Sequence, residues 1–552
     1  MAAPKIWLAM AVIAVFAFLT ISCGDGDEPA RDSPTPAASP SPSVPPPIGS
    51  PTQRSTPLPA KRTIDLSVTP AVLTVLGADT DDYGGDIPAL ALGDFNDDGV
   101  LDVLIGARFG DGPDDSRQDA GEAYVLFGSS DLKGRIALSE GAQDVTIYGE
   151  KVADGLGSAV AAGDVNGDGV DDILVSAPFA EGPPEPRSSQ GEAYVIYGSR
   201  DLDGVFDIAR GDEDVKIIAA DGLGGMGDAI AAGDVNGDGI DDILLGAPFA
   251  GRDPGVPVGG PRSEEGRVYV FFGSPNLRAA LSVREDDQDF MIIGGERRDE
   301  TGDALAVGDV NGDGIADIIV TAETGAGPDN SRPKAGEVHV FFGSPELPAT
   351  ASVALGEQDL SILGAEVEDT LGFSVTAGDI NGDGFDDIVM GAKLADGPQN
   401  GRRDAGEVYI VFGASDLNGV RDIARDEQDM TIFGGHEVAL FGTFVATYDV
   451  NGDGLADLVL GTPFAPSIAE RLGQIEIIFG SEDLPTSLDL NAGGQDLLIL
   501  GQELADMFGG SAVFGDINDD GRPELIVVAE DADGPGDDHQ EDIGKIYGID
   551  LE

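Results

Sequence analysis

One acidic motif recurs along this chain and constrains its architecture more than any other feature. It reads Asp-x-Asn-x-Asp-Gly-x-x-Asp, with Glu at the last place of one copy, and its seven copies lie about 70 residues apart. They begin at Asp94, Asp164, Asp234, Asp309, Asp379, Asp449 and Asp516. Chance does not produce seven copies at such regular intervals. A repeat of this length indicates a solenoid, a propeller or an array of small domains.

Each repeat reads as four short strands. A run of small apolar residues precedes the motif, as in Ser158–Asp164, and a branched aliphatic run, DDILVSAP, follows it. An alternating segment such as Gly191–Ser199 and a final run such as Met430–Gly434 complete the unit. Alternation with β-branched and aromatic residues favours strands, and no segment has a convincing helical period. Four-stranded sheets repeated around an axis form a β-propeller, in which closure removes the exposed sheet edges.

The two ends of the repeat array complement each other. The seventh unit ends in KIYGIDLE, after its third strand, so its fourth strand is missing. Near the N-terminus, Val72–Gly84 matches a fourth strand that has no third strand before it. The sequence therefore predicts an all-β fold, a seven-bladed β-propeller of four-stranded blades in which the N-terminal strand completes the last blade.

The repeated motif has the oxygen spacing of a calcium loop. Side-chain oxygens occupy positions 1, 3, 5 and 9, a backbone carbonyl is available at position 7, and glycine at position 6 permits the sharp turn. It is not an EF-hand, because the second copy has Val175 at position 12 and no helices flank the loop. Three carboxylates within nine residues repel one another without a cation. A metal-free turn, in which Asp and Asn cap their own backbone, is the alternative.

The sequence thus predicts up to seven structural calcium ions, one in each loop, and no catalytic metal. Magnesium is disfavoured because it requires rigid octahedral geometry and retains its waters. The seventh loop is the most divergent, with Pro523 inserted and the longer Glu524 at its end. The predicted ligands, with the carbonyl oxygen used at the fourth residue of each set, are Asp94, Asn96, Asp98, Val100 and Asp102; Asp164, Asn166, Asp168, Val170 and Asp172; Asp234, Asn236, Asp238, Ile240 and Asp242; Asp309, Asn311, Asp313, Ile315 and Asp317; Asp379, Asn381, Asp383, Phe385 and Asp387; Asp449, Asn451, Asp453, Leu455 and Asp457; and Asp516, Asn518, Asp520, Arg522 and Glu524.

These repeats resemble the FG-GAP family, which forms the propeller at the N-terminus of integrin α subunits. The elements that give the family its name stand as Phe441-Gly442 and Phe508-Gly509, and as Gly246-Ala247-Pro248. The resemblance covers residues 63–552 and implies a propeller with calcium loops, although integrins carry such loops in only some blades. It also implies that partners bind on the face opposite the calcium loops.

The N-terminal segment has the pattern of an export signal. Lys5 precedes an apolar run from Ile6 to Leu19, and Cys23 follows at the place of a lipidated cysteine. Residues 1–22 are therefore predicted to be a bacterial lipoprotein signal peptide; a plain signal peptide and an uncleaved anchor are the alternatives. Residues 23–62 are rich in Pro, Ser and Thr, which predicts a disordered spacer. The propeller is expected outside the cytoplasm, tethered to a membrane by the lipid on Cys23.

The charge balance excludes one class of partner. The chain has 102 acidic and 31 basic residues and a formal net charge of −71, which excludes nucleic acid because phosphate binding requires clustered cations. No HExxH, GxSxG or P-loop motif occurs, and the three histidines are far apart in the sequence. The predicted function is a monomeric, integrin-α-like adhesion or binding module for a protein or glycan. The alternative is a hydrolase of glycans or phospholipids with its site at the mouth of the central channel.

Arginines recur in the long loops between the second and third strands. They are Arg117, Arg187, Arg262, Arg332 and Arg402. Recurrence in so many units favours a structural pairing with carboxylates such as Glu122 or Glu192, and a ring of arginines that binds a ligand is the alternative. The tripeptide Arg210-Gly211-Asp212 is the RGD sequence that integrins recognise, and it is interpreted as coincidence in a chain so rich in Gly and Asp.

Overall fold

A computed structural model of the chain describes residues 62–78, 89–181, 189–219, 224–251, 264–466, 472–503, 506–530, 532 and 544–551. These residues form seven sheets arranged as the blades of a β-propeller, which confirms the predicted fold class. Helix within the described residues is confined to nine three-residue 3-10 turns. The predicted signal peptide, Cys23 and all but the last residue of the predicted spacer lie outside the described residues.

Four antiparallel strands form the body of each blade. From the axis outward they are β3 (Leu90–Gly93), β4 (Asp102–Ala107), β5 (Glu122–Leu126) and β7 (Val145–Tyr148) in blade 1; β8 (Val160–Gly163), β9 (Asp172–Ala177), β10 (Glu192–Ile196) and β12 (Val215–Ile218) in blade 2; β13 (Ile230–Gly233), β14 (Asp242–Ala247), β15 (Arg267–Phe271) and β17 (Phe290–Ile293) in blade 3; β18 (Leu305–Gly308), β19 (Asp317–Ala322), β20 (Glu337–Phe341) and β22 (Leu360–Leu363) in blade 4; β23 (Leu371–Gly378), β24 (Asp387–Ala392), β25 (Glu407–Val411) and β27 (Met430–Phe433) in blade 5; β28 (Phe444–Tyr448), β29 (Asp457–Thr462), β30 (Gln474–Ile478) and β32 (Leu497–Leu500) in blade 6; and β33 (Phe508–Gly515), β34 (Glu524–Ala529), β35 (Lys545–Asp550) and β2 (Leu73–Leu76) in blade 7.

A fifth strand, which the sequence analysis missed, lies at the outer edge of every blade. It runs parallel to the fourth strand and comes from the segment that precedes the fourth strand of the next blade. Because a bare fourth strand would expose a row of unpaired backbone groups, this strand covers the edge of each blade and joins it to its neighbour. The fifth strands of blades 1 to 7 are β11 (Gly204–Asp207), β16 (Ala280–Ser282), β21 (Thr350–Ser352), β26 (Gly419–Asp422), β31 (Ser487–Asp489), β1 (Arg62–Asp65) and β6 (Gly134–Ala137).

The 3-10 turns lie in the loops between strands. They are η1 (Pro113–Asp115), η2 (Leu138–Glu140), η3 (Ile208–Arg210), η4 (Val283–Glu285), η5 (Pro328–Asn330), η6 (Val353–Leu355), η7 (Pro398–Asn400), η8 (Ile423–Arg425) and η9 (Leu490–Ala492). Six of them directly follow a fifth strand, where they turn the chain back toward the start of the fourth strand.

The N-terminal segment closes the ring. Strand β2 pairs antiparallel with β35, with Leu73 opposite Gly548 and Leu76 opposite Lys545. Strand β1 pairs with β32 of blade 6, so the N-terminal segment completes two neighbouring blades. At the innermost layer β3 contacts both β8 and β33, which completes the circle of inner strands. The predicted closure by an N-terminal strand is confirmed.

Small residues on the inner strands permit this close packing around the axis. Gly163 ends β8, and a Cβ atom placed on it would lie 2.8 Å from the Cβ of Ala232 in the next blade. Second strands such as β9 and β14, in contrast, are buried along their whole length. The apolar core therefore lies between neighbouring blades, where each sheet face packs on the next.

The recurring arginines join neighbouring blades. Arg117 Nη1 lies 2.8 Å from Asp207 Oδ1 at the end of β11, and it also donates to the carbonyl of Gly149. The other two arginines of the series within the described residues pair in the same way: Arg332 with Asp422 at 2.8 Å and Arg402 with Asp489 at 2.5 Å. These three arginines confirm a structural pairing with carboxylates, but the partner of Arg117 is Asp207 and not the predicted Glu122. The predicted partner Glu192 belongs to the blade of Arg187 and stays a prediction. Arg187 and Arg262 lie outside the described residues.

Replacing Arg117 by Ala is expected to reduce the free energy of unfolding by about 1–3 kcal/mol, because Asp207 would keep its buried carboxylate without its main partner. Burial alone would raise the pKa of Asp207, but the hydrogen bond and charge of Arg117 outweigh it and lower the pKa. The pairing therefore stabilises the fold at neutral pH and loses this effect as the pH falls below about 4. Denaturant titrations of both proteins at pH 7 and pH 3 test this.

The matched control is Arg210→Ala. Arg210 also pairs with Asp207, at 3.2 Å, but its side chain is 68% exposed against 16% for Arg117. An exposed ion pair contributes between about 0 and 1 kcal/mol, so this variant is expected to unfold like the parent protein. Equal destabilisation by the two substitutions would contradict the assignment of Arg117 as the residue that joins the blades.

Candidate functional site

The seven acidic loops all lie between the first and second strands of their blades, so they share one face of the propeller, here called the loop face. In blade 3 the carboxylate of Asp234, at position 1, accepts the amide hydrogens of Gly237, Asp238 and Gly239 at 2.6, 3.0 and 2.7 Å. Asp238 at position 5 accepts the amide hydrogen of Ile240 at 3.0 Å. Gly239 has a φ of +87°, a conformation that glycine adopts without strain. The sharp turn predicted at the glycine of position 6 is therefore present.

The carboxylate at position 9 lies at the buried start of the second strand. In blade 2 Asp172 has no exposed surface, and its oxygens accept the amide hydrogens of Val165 and Gly198 at 3.1 and 3.0 Å. Asn166 at position 3 donates its amide group to the same carboxylate at 3.0 Å. Burial, and to a lesser extent the charges of Asp164 and Asp168, raises the pKa of Asp172 to about 7. A nearby cation would stabilise the ionised form of this group.

The donor set of each loop fits calcium in its chemistry. Every predicted ligand is an oxygen, which hard cations prefer, and a carboxylate oxygen that accepts one amide hydrogen retains a second lone pair. The side chains are not drawn together as in a formed metal centre, since no three His, Cys, Asp or Glu side chains within the described residues are arranged to hold a metal. Within each loop the predicted ligand side chains thus lie near one another, but their carboxylates accept hydrogen bonds from backbone amides.

The seventh loop keeps the arrangement of the other six despite its divergent sequence. Glu524 accepts the amide hydrogen of Ile517 at 3.3 Å and the side-chain amide of Asn518. Asp516 accepts the amide hydrogens of Asp520 and Gly521 at 3.3 and 2.8 Å. Because Glu524 is buried and lies near other carboxylates, its pKa is raised to about 8. The longer side chain therefore occupies the same place as Asp in the other loops.

Position 8 of the loop has a role that the sequence analysis missed. The carboxylate of Asp171 in blade 2 accepts the amide hydrogen of Asp94 in blade 1 at 2.9 Å, and Asp386 does the same for Asp309 at the same distance. The position-7 side chain also reaches the preceding loop, because a Cβ atom on Gly312 would lie 2.4 Å from Phe385. Neighbouring loops are thus in direct contact, and a change in one loop has a route to the next.

A second cluster of charges lies on the opposite face, where the second strands end and the first strands begin. Arg108 follows β4 of blade 1, Asp228 precedes β13 of blade 3, and Glu530 follows β34 of blade 7. Arg108 interacts electrostatically with both carboxylates, although blades 1 and 3 are not neighbours. Burial raises the pKa of Asp228 to about 6, against the opposing effect of Arg108. These groups therefore face one another around the central channel.

Blades 4 and 5 add three further charges to this cluster, here called the channel mouth. The amide of Glu323 donates to the carboxylate of Asp303 at 3.1 Å, and Lys393 Nζ lies 2.9 Å from the ring centroid of Phe373. Burial lowers the pKa of Lys393 to about 8, although Glu323 and Asp303 counteract this. Burial, followed by the charges of Glu323 and Glu300, raises the pKa of Asp303 well above its usual value. Strongly shifted pKa values in a cluster of charged groups are typical of functional sites.

The RGD tripeptide forms part of the 3-10 turn that follows β11. Gly211 takes the left-handed conformation at the end of η3, and Asp212 accepts the amide hydrogen of Asp207 at 2.9 Å. Glu427 accepts from Asp422 in the same way at 2.7 Å in a turn without the tripeptide. The acidic residue of the RGD tripeptide, Asp212, thus accepts a hydrogen bond within a turn that recurs in other repeats.

Comparison with known proteins places this architecture in a family. The FG-GAP repeat pattern matches residues 88–126, 156–196, 226–271, 301–341, 371–411 and 441–475. The chain is an FG-GAP repeat protein. The matched segments fall in blades 1 to 6, and each begins near the first strand of its blade and extends into the third. Blade 7 of this FG-GAP protein lies outside these matches, and its acidic loop carries Pro523 and Glu524.

Its relatives include proteins of two kinds. Over 248 residues it is 32% identical to integrin alpha pat-2 of Caenorhabditis briggsae, and over 253 residues it is 28% identical to phosphatidylinositol-glycan-specific phospholipase D of Homo sapiens. It is also 28% identical to integrin alpha-PS2 of Drosophila melanogaster over 243 residues. These matches cover 43%, 45% and 44% of this chain but 18%, 28% and 15% of the relatives. The chain therefore spans less than a third of the length of each of these relatives, which are integrin chains and a phospholipase.

No helix in the described part of this FG-GAP chain has the length and apolar character needed to cross a membrane.

Proposed function

We propose that this FG-GAP propeller is an extracytoplasmic, calcium-stabilised binding module that recognises a protein or glycan through the face opposite its acidic loops. Calcium would be held by the side-chain oxygens at positions 1, 3, 5 and 9 of each loop and the carbonyl at position 7. Its role is structural, since it supplies the positive charge that the buried position-9 carboxylates lack. The family relationship to integrin α chains supports an adhesive role.

The channel mouth is the observation that carries this proposal. It places cationic and anionic side chains from blades 1, 3, 4, 5 and 7 around one opening, and Phe373 lies beneath the ammonium group of Lys393. Mixed charges beside an aromatic ring can bind a polar ligand such as a glycan or a peptide by hydrogen bonds and stacking. All seven blades share the acidic loop design, but these channel residues differ from blade to blade, as expected of a recognition surface.

Replacing Lys393 by Met is expected to weaken ligand binding at least tenfold, because the variant loses a positive charge and a hydrogen-bond donor while most of its contact area remains. Binding is measured on arrays of immobilised glycans and matrix proteins in 2 mM calcium. Lys133→Met is the control, since Lys133 is exposed outside the channel mouth. A ligand that binds both variants and the parent protein equally would contradict the assignment of the channel mouth as the binding site.

A hydrolase with its site at the same opening is the second candidate. Two observations favour it. The relatives include proteins named phosphatidylinositol-glycan-specific phospholipase D, and the pKa of Asp228 is raised to about 6 near Asp303, whose pKa is also raised. A carboxyl group whose pKa is raised toward neutrality can serve as a general acid or base. Release of product from phosphatidylinositol-glycan or from an aryl glycoside, abolished by Asp228→Asn, would identify an enzyme and exclude a pure binding role.

A further inference from the structure

Blade 2 contains a lysine whose ammonium group lies between carboxylates of blade 1 and blade 2. Lys216, the second residue of β12, places Nζ 2.8 Å from Glu192 Oε2 and 2.6 Å from Glu150 Oε2. Glu192 is only 2% exposed, and it also accepts a hydrogen bond from Tyr194. The ammonium group lies 5.4 Å from the ring centroid of Tyr194. Carboxylates and an aromatic ring thus surround a primary ammonium group that the chain itself supplies.

The same place in blades 1 and 5 is a cavity. Threonine replaces the lysine there, as Thr146 in β7 and Thr431 in β27, while the buried Glu and the Tyr two residues later are retained. The cavities have volumes of about 360 Å³ in blade 1 and about 300 Å³ in blade 5. Each described residue that lines the blade 1 cavity has an equivalent in the lining of the blade 5 cavity, which also includes Glu366, Asp369, Asp426 and Thr431. Both open on the face opposite the acidic loops, because the loop between the second and third strands forms part of each rim.

Both cavities are strongly anionic. The lining of the blade 5 cavity contains five carboxylates and that of blade 1 contains four, and among the residues that the structure describes no Lys, Arg or His lines either cavity. Glu407 and Glu122, which are equivalent to Glu192, are 6% and 8% exposed. The remaining carboxylates of the two linings are Glu366, Asp369, Asp396 and Asp426 in blade 5 and Asp111, Asp114 and Asp115 in blade 1.

We propose that the cavities of blades 1 and 5 each bind a primary ammonium group on an alkyl chain, with Glu122 and Glu407 accepting its hydrogen bonds as Glu192 does for Lys216. The ligand is a lysine side chain of a partner protein or a small alkylamine. The face of Tyr124 or Tyr409 lies beside the ammonium group, where cation–π attraction adds to the charge pairing. This binding site lies outside the channel mouth, and it stands whether or not the channel mouth binds a ligand.

A metal ion fits these cavities less well. No three acidic, histidine or cysteine side chains within the described residues are arranged as metal ligands, and each cavity is far larger than one ion. Burial, against the hydrogen bond from Tyr409 and together with the charges of Asp369 and Glu366, raises the pKa of Glu407 to about 7. A bound ammonium group would reverse this effect, since an adjacent cation favours the ionised carboxylate.

In other blades, the described residues at the positions equivalent to this Glu and Tyr are different. His339 replaces the tyrosine in blade 4 and lies 3.4 Å from Glu337. In blade 3 Arg267 stands where the buried glutamate would be, and in blade 6 that position is Gln474. In blade 7 that position is Lys545. Among the described residues, the combination of a buried Glu, the Tyr and a threonine at the lysine position therefore occurs in blades 1 and 5.

Isothermal titration with n-butylammonium and with N-acetyl-lysine amide, at physiological salt, tests the proposal. The parent protein is expected to bind two equivalents, and the neutral N-acetyl-norleucine amide is expected not to bind. Thr431→Lys should remove one equivalent, and Thr146→Lys with Thr431→Lys should remove both, because each new lysine would fill its cavity as Lys216 does. Lys216→Thr should add a third equivalent.

The two ligands separate the possible sources of the ammonium group. Similar binding of both indicates a small amine, whereas binding at least tenfold tighter for the lysine derivative indicates a protein partner. Glu407→Gln provides a second variant that retains the shape of the cavity, and it should remove one equivalent as Thr431→Lys does. Undiminished binding by the double lysine variant would overturn the proposal, since it would indicate general attraction to the acidic surface. The absence of binding by the parent protein would overturn it equally.

Discussion

The variant Val75→Asp is expected not to form a folded propeller. Val75 lies in β2, the strand that completes blade 7, and its side chain is 1% exposed in a cluster with Val103, Val528 and Ile546. A carboxylate buried there without a partner costs more than about 4 kcal/mol, and the whole free energy of folding of a domain is about 5–15 kcal/mol. Loss of β2 would also expose the edge of β35. Circular dichroism and size-exclusion chromatography should report unfolded or aggregated protein.

Val68→Asp is the matched control for this experiment. It makes the same substitution seven residues away, between β1 and β2, where the side chain is 76% exposed. This variant is expected to fold and to melt within about 2 °C of the parent protein, because exposed substitutions usually change the free energy of unfolding by less than about 0.5 kcal/mol. A monomeric Val75→Asp protein with the parent melting temperature would show that β2 is dispensable for closure.

The sequence alone was sufficient to predict the number of blades and the way in which the ring closes. The acidic motif marks each turn between the first and second strands, and the unmatched strand at each end predicts how the ring closes. The fifth strands escaped detection because segments such as Thr350–Ser352 are three residues long and polar, and their partners are in another repeat. Their pairing depends on the edge that a neighbouring blade offers, which a single repeat does not reveal.

The candidate sites were predictable to different extents. The ligand spacing in the acidic loops is local and therefore visible in the sequence. The contacts of Asp171 and Asp386 with the preceding loop are not, because they join residues 77 apart. The channel mouth is harder still, since Arg108 and Asp228 belong to non-neighbouring blades and neither residue recurs in every repeat. These side chains come together only because the ring closes around its axis, and the pattern of a single repeat does not predict that arrangement.

The cavities of blades 1 and 5 also depend on contacts between strands, so the sequence pattern alone does not reveal them. A threonine at the second place of the fourth strand carries no signal by itself, because Thr is common in strands. It becomes informative only when the register places Thr431 opposite Tyr409 and the equivalent Lys216 opposite Tyr194. Once the register is known, comparison of equivalent positions between blades identifies the residues that differ, as comparison between related proteins usually does.

Removal of calcium is expected to lower the melting temperature of the propeller by roughly 10–20 °C. Extracellular calcium sites have dissociation constants of about 0.1–1 mM, so each ion contributes about 1.4–2.7 kcal/mol in 10 mM calcium. Seven loops together contribute roughly 10–19 kcal/mol, and for a chain of this length each kcal/mol corresponds to about 1 °C. Calorimetry in 10 mM calcium and in excess chelator, with 10 mM magnesium as a control, measures the effect.

The variant Asp168→Asn tests the loops individually, because it removes one ligand charge from the exposed position 5 of the second loop. It is expected to lower the melting temperature by about 1–3 °C in calcium and by less than that in chelator, since the lost interaction is with the ion. Asp201→Asn, at an exposed acid outside the loops, controls for the change in net charge. If the parent protein melts at the same temperature with calcium and with chelator, the acidic loops are turns that cap their own backbone. The raised pKa values of the position-9 carboxylates would then mean that these groups hold protons rather than pair with a metal ion.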